Sequence, residues 1–393
     1  ATTEIYTLSL HDALPIWRRR SSGNGGGWAW LKPGIAGRPA LTSYKMQVKI
    51  MNGSERMRAA LDGQRPDGPP VMLHNFMMAA VEAGVPMGVY RRDPAAIARC
   101  FVESVERYGY DGVLVDVDTA TLAGVLGVPV HEPEDEPAVC HGARIGSLDE
   151  VGGLEPVEVG RSERVQVWLE AVRLLRAAFG GTVYIRGNCD QCPFALASQV
   201  RGAAYWMMDL MDPGNEERAH ELLEYCTGVT LQFLELMAGA GADMLSNGDS
   251  AAGPSMISPR LYRKFAQPYE ARVVAAAHRS GLPYTLHICG KTEPILSAMV
   301  ETGADALELD SLTDAGRARD ALAGRAAFIG NLDPTAVLAL GTPGEVEAQT
   351  RRLMKVFAGE RRFVLNAGCA IAPNTPAANI EAMIRVAREG YEE

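Results

Sequence analysis

From Met51 onward, short apolar runs that end in polar or glycine residues alternate with longer segments of helical period. The runs cover 70–75, 112–118, 182–188, 242–247, 283–289, 306–310, 326–331 and 362–367. Between them the spacing of apolar positions predicts helices over 93–108, 161–179, 216–237, 259–280, 293–302, 314–322, 343–357 and 376–391. A strand that reads as a continuous apolar run is buried on both faces. Eight such strands alternating with helices predict an α/β protein with a single (β/α)8 TIM barrel. A doubly wound open sheet is the competing architecture, but no glycine-rich fingerprint follows the first run, and the count of eight favours the barrel.

The first 45 residues break this pattern. Residues 2–17 have no usable period, 18–20 form a basic run, and 23–27 are almost all glycine. The segment 3–16 resembles a translated sequencing-adaptor fragment. The expectation is therefore a disordered, non-native extension over 1–45, a native start at Met46 or Met51, and a barrel over 51–393. A genuine targeting peptide is the alternative, and Glu4 and Asp12 count against a transit peptide.

Composition narrows the partners. An apolar content of 47% with 22% charge over 393 residues suits a globular protein with a large core, and the net charge of −10 argues against nucleic acid. No run of 18 apolar residues offers a membrane span and no export signal is recognisable, so a cytoplasmic protein with no membrane partner is expected. Seven cysteines in such a chain read more easily as reduced thiols or metal ligands than as a disulfide framework.

Barrel enzymes carry their chemistry at the C-terminal ends of the strands. There the chain has His74, Asp116 and Asp118, Asn188 and Asp190, Asn247 and Asp249, His287 and Cys289, Glu308 and Asp310, Asn331, and Cys369. His287 and Cys289 are two apart, so a strand presents imidazole and thiolate on one face. Cys369, eighty residues beyond Cys289, falls on the same face of the barrel. Three nitrogen and sulfur ligands leave one position open on a zinc ion, and Gly290 and Gly368 beside them permit close backbone approach. The plain alternative is a buried histidine bonded to a carbonyl and two cysteines acting as small hydrophobes.

Cys189 and Cys192 form a second CxxC-type spacing, which alone is a weak sign of redox or metal chemistry. Glu308 and Asp310 share a face and can orient a ligand or supply a weak fourth one. His74 reads as a hydrogen-bonding pocket residue. A three-ligand zinc either lowers the pKa of bound water to about 7 or holds a substrate thiol as thiolate, although a free thiol titrates near about 8.5. Two thiolate ligands blunt the metal's acidity toward water and favour thiol alkylation.

Several stretches together resemble the uroporphyrinogen decarboxylase superfamily over 51–393: DGVLVDVD at 111–118, PFALAS at 193–198, SPRLY at 258–262 with PY at 268–269, GNLDP at 330–334 and NAGCAIAPNTP at 366–376. The resemblance implies a (β/α)8 barrel. At the working positions the chain departs from the decarboxylases. Their arginine-rich segment after the first strand is replaced by 74–80, the tyrosine after their Leu-Ala-Ser is Gln199, and the histidine of their last strand is Cys369. Only the aspartate that steadies the pyrrole nitrogens is kept, as Asp118. His287, Cys289 and Cys369 are instead similar to the zinc triad of the superfamily's corrinoid-dependent, methylcobalamin:coenzyme M methyltransferase-like branch.

That resemblance implies Zn2+ as cofactor, a methyl-corrinoid as co-substrate and a small thiol as methyl acceptor. No Asp-x-His-x-x-Gly corrinoid motif occurs in the chain, so the corrinoid is expected on a separate protein that docks at the barrel mouth. His287, Cys289 and Cys369 are the expected metal ligands, and Asp118, Asp249, Glu308 and Asp310 the expected catalytic carboxylates. His74, Asn188, Asp190, Gln191, Gln199 and Asn331 are expected to contact substrate. The alternatives are a decarboxylase that uses Asp118 without metal, or a barrel that binds a ligand without catalysis.

Overall fold

A computed structural model describes residues 50–390. The extension expected over 1–45 lies outside the described residues. Eight parallel strands lie side by side in sequence order: β1 (Met72–Leu73), β2 (Gly112–Val115), β3 (Tyr184–Gln191), β4 (Met244–Gly248), β5 (Tyr284–Ile288), β6 (Ala306–Leu309), β7 (Ala327–Leu332) and β8 (Phe363–Ala367). A parallel bridge between Val71 and Leu365 brings the first strand to the last, and the Leu365 N–H donates to the Pro70 carbonyl at 2.8 Å. The expected barrel is therefore the one observed.

The period of two along each strand stacks the barrel interior in layers. Met72, Tyr184, Met244, Ala306, Ala327, Ile329 and Val364 make an apolar lower layer with Met57, Ala60 and Leu61 of the helix Gly53–Leu61. That helix closes the bottom, and a Cβ at Gly53 would stand 2.7 Å from the Asp111 carbonyl oxygen, so only glycine allows the contact. Two residues further along their strands, Arg186, Glu308 and Asn366 form a polar layer above it. All three are buried.

The outer helices follow the expected spans. Pro94–Tyr108 starts on an Asp93 cap and ends at Gly109 with φ 66°, and Glu163–Phe179 ends at Gly180 with φ 55°. The expected helix 259–280 is interrupted by a π-helical turn at Tyr262–Ala266. Pro268 has no N–H to return to the preceding turn, which widens there. Trp168 packs edge-on against Phe233 at 5.6 Å and ties Glu163–Phe179 to Glu216–Ala240.

Short elements that the spacing did not predict build the mouth. After β1 comes Phe76–Glu82, after β2 comes Thr121–Val125 with an antiparallel ribbon of Val130–His131 and Val139–Cys140, and after β3 come Pro193–Arg201 and Ala203–Asp209. Among the described residues, no helix is long and apolar enough to cross a membrane.

Candidate metal centre

β5 is buried at every residue and delivers His287 and Cys289 to the upper end of the barrel. Gly290, with φ 87°, turns the chain away directly after Cys289. Cys369 follows β8. A Cβ at Gly368 would lie 2.4 Å from the Ser311 backbone nitrogen, so the glycine lets this loop pack against the end of β6. The result brings the three side chains together. His287 Nε2 is 3.1 Å from Cys289 Sγ and 3.8 Å from Cys369 Sγ, and the two sulfurs are 3.8 Å apart.

These separations test the fit of a metal. Tetrahedral zinc with sulfur at about 2.3 Å and nitrogen at about 2.0 Å needs sulfurs about 3.8 Å apart and nitrogen to sulfur about 3.6 Å. The sulfur pair meets that spacing, and small adjustments bring in the nitrogen. His287 Nδ1 lies 3.0 Å from the Glu308 carbonyl oxygen, which accepts the Nδ1 proton and leaves the Nε2 lone pair toward the sulfurs. The three ligand atoms form a set that can hold a metal ion.

The charges suit a cation. A hydrogen bond from the Cys369 thiol, with His287 alongside, brings the Cys289 thiol down to about 4 against the pull of burial. Cys369 moves the other way because it gives that hydrogen bond and is buried. Burial pulls His287 down, but the Cys289 thiolate and Glu308 outweigh it and raise the imidazole to about 9. Without metal the triad therefore keeps a thiolate, and uptake of a divalent ion displaces the protons on its neighbours.

Glu308 braces the centre from below. Its Oε2 accepts from Arg186 Nη2 at 2.7 Å and its Oε1 from Asn366 Nδ2 at 2.8 Å. Burial raises this carboxyl, yet Arg186, His287 and His74 overcome it and hold the group at about 2. Arg186 and Glu308 are among the most buried charges of the barrel, at 2% and 1% exposure.

A cavity of about 260 Å³ opens above the triad. Its lining includes the apolar Phe76, Met77, Pro137, Val139 and Ala370 and the polar His74, Asp116, Asp118, Asn188 and Gln191. Asp116 accepts from Asn188 Nδ2 at 2.9 Å and contacts His74 Nε2 at 2.9 Å. Burial pushes the Asp118 carboxyl up although Arg164 lies 2.7 Å away, and its oxygens also accept from Ala120 N–H and the Thr121 hydroxyl.

The structure brings His74, Asp118, Asn188, Gln191, Glu308 and the triad to the cavity. Five others, Asp190, Asp249, Asp310, Asn331 and Gln199, do not line this cavity. Strand ends leave backbone N–H groups that need acceptors, and several polar side chains turn back to serve them. Asp190 accepts from Leu122 N–H at 2.6 Å and Asp249 from Ala195 N–H at 2.7 Å. Asp310 accepts from Gly290 and Leu312, both at 2.9 Å, and so fixes the turn after Cys289. Asn331 donates to the Asp310 and Thr313 carbonyls, and Gln199 to the Thr119 carbonyl.

Cys189 and Cys192 are fully buried, and burial raises both thiols, the opposite of a reactive pair. Arg186, Asp116 and Asn247 were not among the expected site residues. For Arg186 the signal was present, since a charge inside an apolar strand run demands a buried partner.

The family profile described as Uroporphyrinogen decarboxylase (URO-D) matches residues 52–390. The methylcobamide:CoM methyltransferase MtbA of Methanosarcina acetivorans is 29% identical over 340 residues, covering 85% of this chain and 97% of that protein. The methylcobamide:CoM methyltransferase MtaA of Methanosarcina barkeri is 27% identical over 345 residues, with coverages of 86% and 97%. The uroporphyrinogen decarboxylase of Thermus thermophilus is 30% identical over 302 residues, with coverages of 76% and 85%. In fold, the chain is similar to a solved methyltransferase from Methanosarcina mazei, with a TM-score of 0.78 at 24% identity, covering 86% of this chain and 99% of that one.

Proposed function

We propose, from the premise that the chain belongs to the uroporphyrinogen decarboxylase family, that it is a zinc-dependent methyltransferase of the corrinoid-using branch. It moves a methyl group from a methyl-corrinoid, carried by a separate corrinoid protein, to a small thiol. The observation that carries this reading is the triad of one imidazole and two thiols at zinc-ligand spacing, set at the floor of a cavity. The names of the MtbA and MtaA relatives support the methyl donor and suggest coenzyme M, 2-mercaptoethanesulfonate, as a first acceptor to try.

His287, Cys289 and Cys369 would hold the zinc, which, when bound, supplies a site where a thiol stays ionised near neutral pH. The chain's own groups do the rest. The Glu308 carbonyl fixes the imidazole tautomer, and Arg186 and Asn366 hold Glu308 in place. The Asp310 carboxylate pins the Gly290 turn. Phe76, Met77 and Val139 would give the incoming methyl group an apolar lining to pass. In the net reaction a sulfur–carbon bond forms and the cobalt–carbon bond breaks, with its electron pair staying on cobalt. The cytoplasm suits this chemistry, because the ligand thiols must stay reduced.

The decarboxylase reading, supported by the Thermus relative, would rest on Asp118. That carboxylate is engaged by Arg164, Ala120 and Thr121. The two readings separate in one assay. Zinc-loaded protein mixed with methylcobalamin and 2-mercaptoethanesulfonate should demethylate the corrinoid, and chelated protein should not. Equal turnover with and without zinc, or decarboxylation of uroporphyrinogen by the chelated protein, would overturn the proposal.

A further inference from the structure

The cavity above the triad is better equipped to meet a hydrogen-bond donor than an anion. Its acidic lining residues are Asp116, Asp118 and Glu308, and among the described lining residues the one arginine or lysine is Arg186. Arg186 donates through Nη2 to Glu308 Oε2 at 2.7 Å, and its Nε and Nη1 are enclosed, out of a ligand's reach. Asn188 is the opposite case. It is the one residue of β3 that is not fully buried, and it lines the cavity. Its Nδ2 donates to Asp116 Oδ1 at 2.9 Å, an oxygen that also accepts from Val117 N–H at 2.8 Å. With the amide nitrogen turned to an acceptor, the carbonyl Oδ1 is what Asn188 offers to the cavity. Gln191 carries the lining toward the triad. In register across the sheet, Gln191 on β3 stands beside Gly248 on β4, and Gly248 beside His287 on β5. Neighbouring strands lie about 4.8 Å apart, so about 10 Å separates the Gln191 and His287 backbones, with no side chain of β4 between them. The Gln191 amide leans over that glycine, its nitrogen 3.9 Å from where a Cβ on Gly248 would stand.

We propose that Asn188 and Gln191 are the specificity-determining residues for the acceptor thiol, and that they receive its far end as an ammonium or hydroxyl rather than as an anion. The inference rests on the thiol-methylating reading above and deepens it. The sulfur would sit at the triad and its short carbon chain over the bare Gly248. The far end then meets the Asn188 carbonyl oxygen and the Gln191 amide. An ammonium or hydroxyl satisfies an open carbonyl, whereas a sulfonate brings only acceptors to it. Asp116 stands behind Asn188 and adds to the preference, and among the described lining residues no unpaired arginine or lysine offsets it. Hydrogen bonds with a charged partner are the stronger ones, so the expected order is ammonium, hydroxyl, sulfonate. 2-Mercaptoethanesulfonate is then a working but weak acceptor.

The test compares short thiols that differ only at the far end: 2-aminoethanethiol, 2-mercaptoethanol, 2-mercaptoethanesulfonate, and ethanethiol as the thiol without a polar end. Each is titrated into cobalt(II)-substituted parent, Asn188→Ala, Gln191→Ala and Gln191→Lys proteins. A thiolate entering the metal shell deepens the near-ultraviolet charge-transfer absorption, and every affinity is expressed relative to ethanethiol on the same protein. The acidity of each thiol cancels when these ratios are compared between parent and variant. The parent should bind 2-aminoethanethiol about 10-fold or more tighter than 2-mercaptoethanesulfonate, in the range of a charge-assisted hydrogen bond. Both alanine variants should shrink that ratio, and Gln191→Lys, which places a cation at the far end, should tip it toward the sulfonate. Equal cobalt uptake certifies that the variants keep the metal site. A parent that favours the sulfonate, or a ratio that either alanine variant leaves unchanged, would overturn the assignment. If no thiol alters the spectrum of the parent, the thiol-methylating reading falls first and this inference with it.

Discussion

His287 turns its Nδ1 to the Glu308 carbonyl oxygen at 3.0 Å, and this one contact aims Nε2 at Cys289 and Cys369. Glu308 therefore acts on the centre twice, through its backbone carbonyl and through a carboxylate that Arg186 and Asn366 hold 3.6 Å from His287 Nδ1. The metal site is inseparable from the polar layer beneath it.

Removing one partner of the Arg186–Glu308 pair should be costly. Arg186→Met leaves a buried carboxylate with only Asn366, and losses of about 3–5 kcal/mol are typical for such breaks. Zinc affinity should fall about 10–100-fold as the orientation of His287 loosens. Urea unfolding and a competitive zinc titration read both effects. The double variant Arg186→Met with Glu308→Leu should recover part of the stability, because no unpaired charge remains.

The same carboxylate gives the fold an acid limit. Glu308 is held at about 2 against an ordinary 4.5; burial opposes this and Arg186 outweighs it. As pH falls the unfolded chain takes up this proton first. The contribution is complete above about 4.5 and lost between there and about 2, and is worth roughly 3 kcal/mol. Unfolding free energies at pH 6 and pH 3 should differ less in Glu308→Gln than in the parent. An unchanged difference would remove Glu308 from the account.

Cys289 should react as a thiolate well below neutral pH once the metal is removed. Its thiol is brought down to about 4, first by the hydrogen bond from Cys369. Iodoacetamide at pH 6 should therefore label Cys289 ahead of Cys369 and of the fully buried Cys189, Cys192 and Cys226. Zinc should protect it. Peptide mass spectrometry gives the order of labelling.

The barrel was legible because its strands are buried on both faces and so read as apolar runs, and because the long helices show several turns of period. The pieces between Phe76 and Asp209 that form the mouth were not. Thr121–Val125 and the Val130–His131 ribbon are too short to show a period, and their burial depends on the loops they meet. The triad was legible for a similar reason, since a period of two pairs His287 with Cys289 and barrel closure brings in Cys369. Which way a polar strand end turns was not legible. Asp310 and Asn188 both end strands, yet Asp310 turns to the Gly290 N–H and Asn188 to Asp116 in the cavity. That choice depends on the phase of the strand pleat at its end and on backbone donors contributed by distant loops, neither of which leaves a mark in the local sequence. Arg186 hid inside an apolar run, where its partner Glu308 lies 122 residues away.

The central claim is a zinc ion on one imidazole and two thiolates with a position left for a thiol. X-ray absorption at the zinc edge of metal-loaded protein tests it most directly. The account predicts about one zinc per chain with two sulfurs near 2.3 Å and lighter atoms near 2.0 Å. On addition of 2-mercaptoethanesulfonate the sulfur count should rise to three, and Cys369→Ser should lower both counts by one. A zinc shell without sulfur, or a sulfur count that Cys369→Ser leaves unchanged, would contradict it.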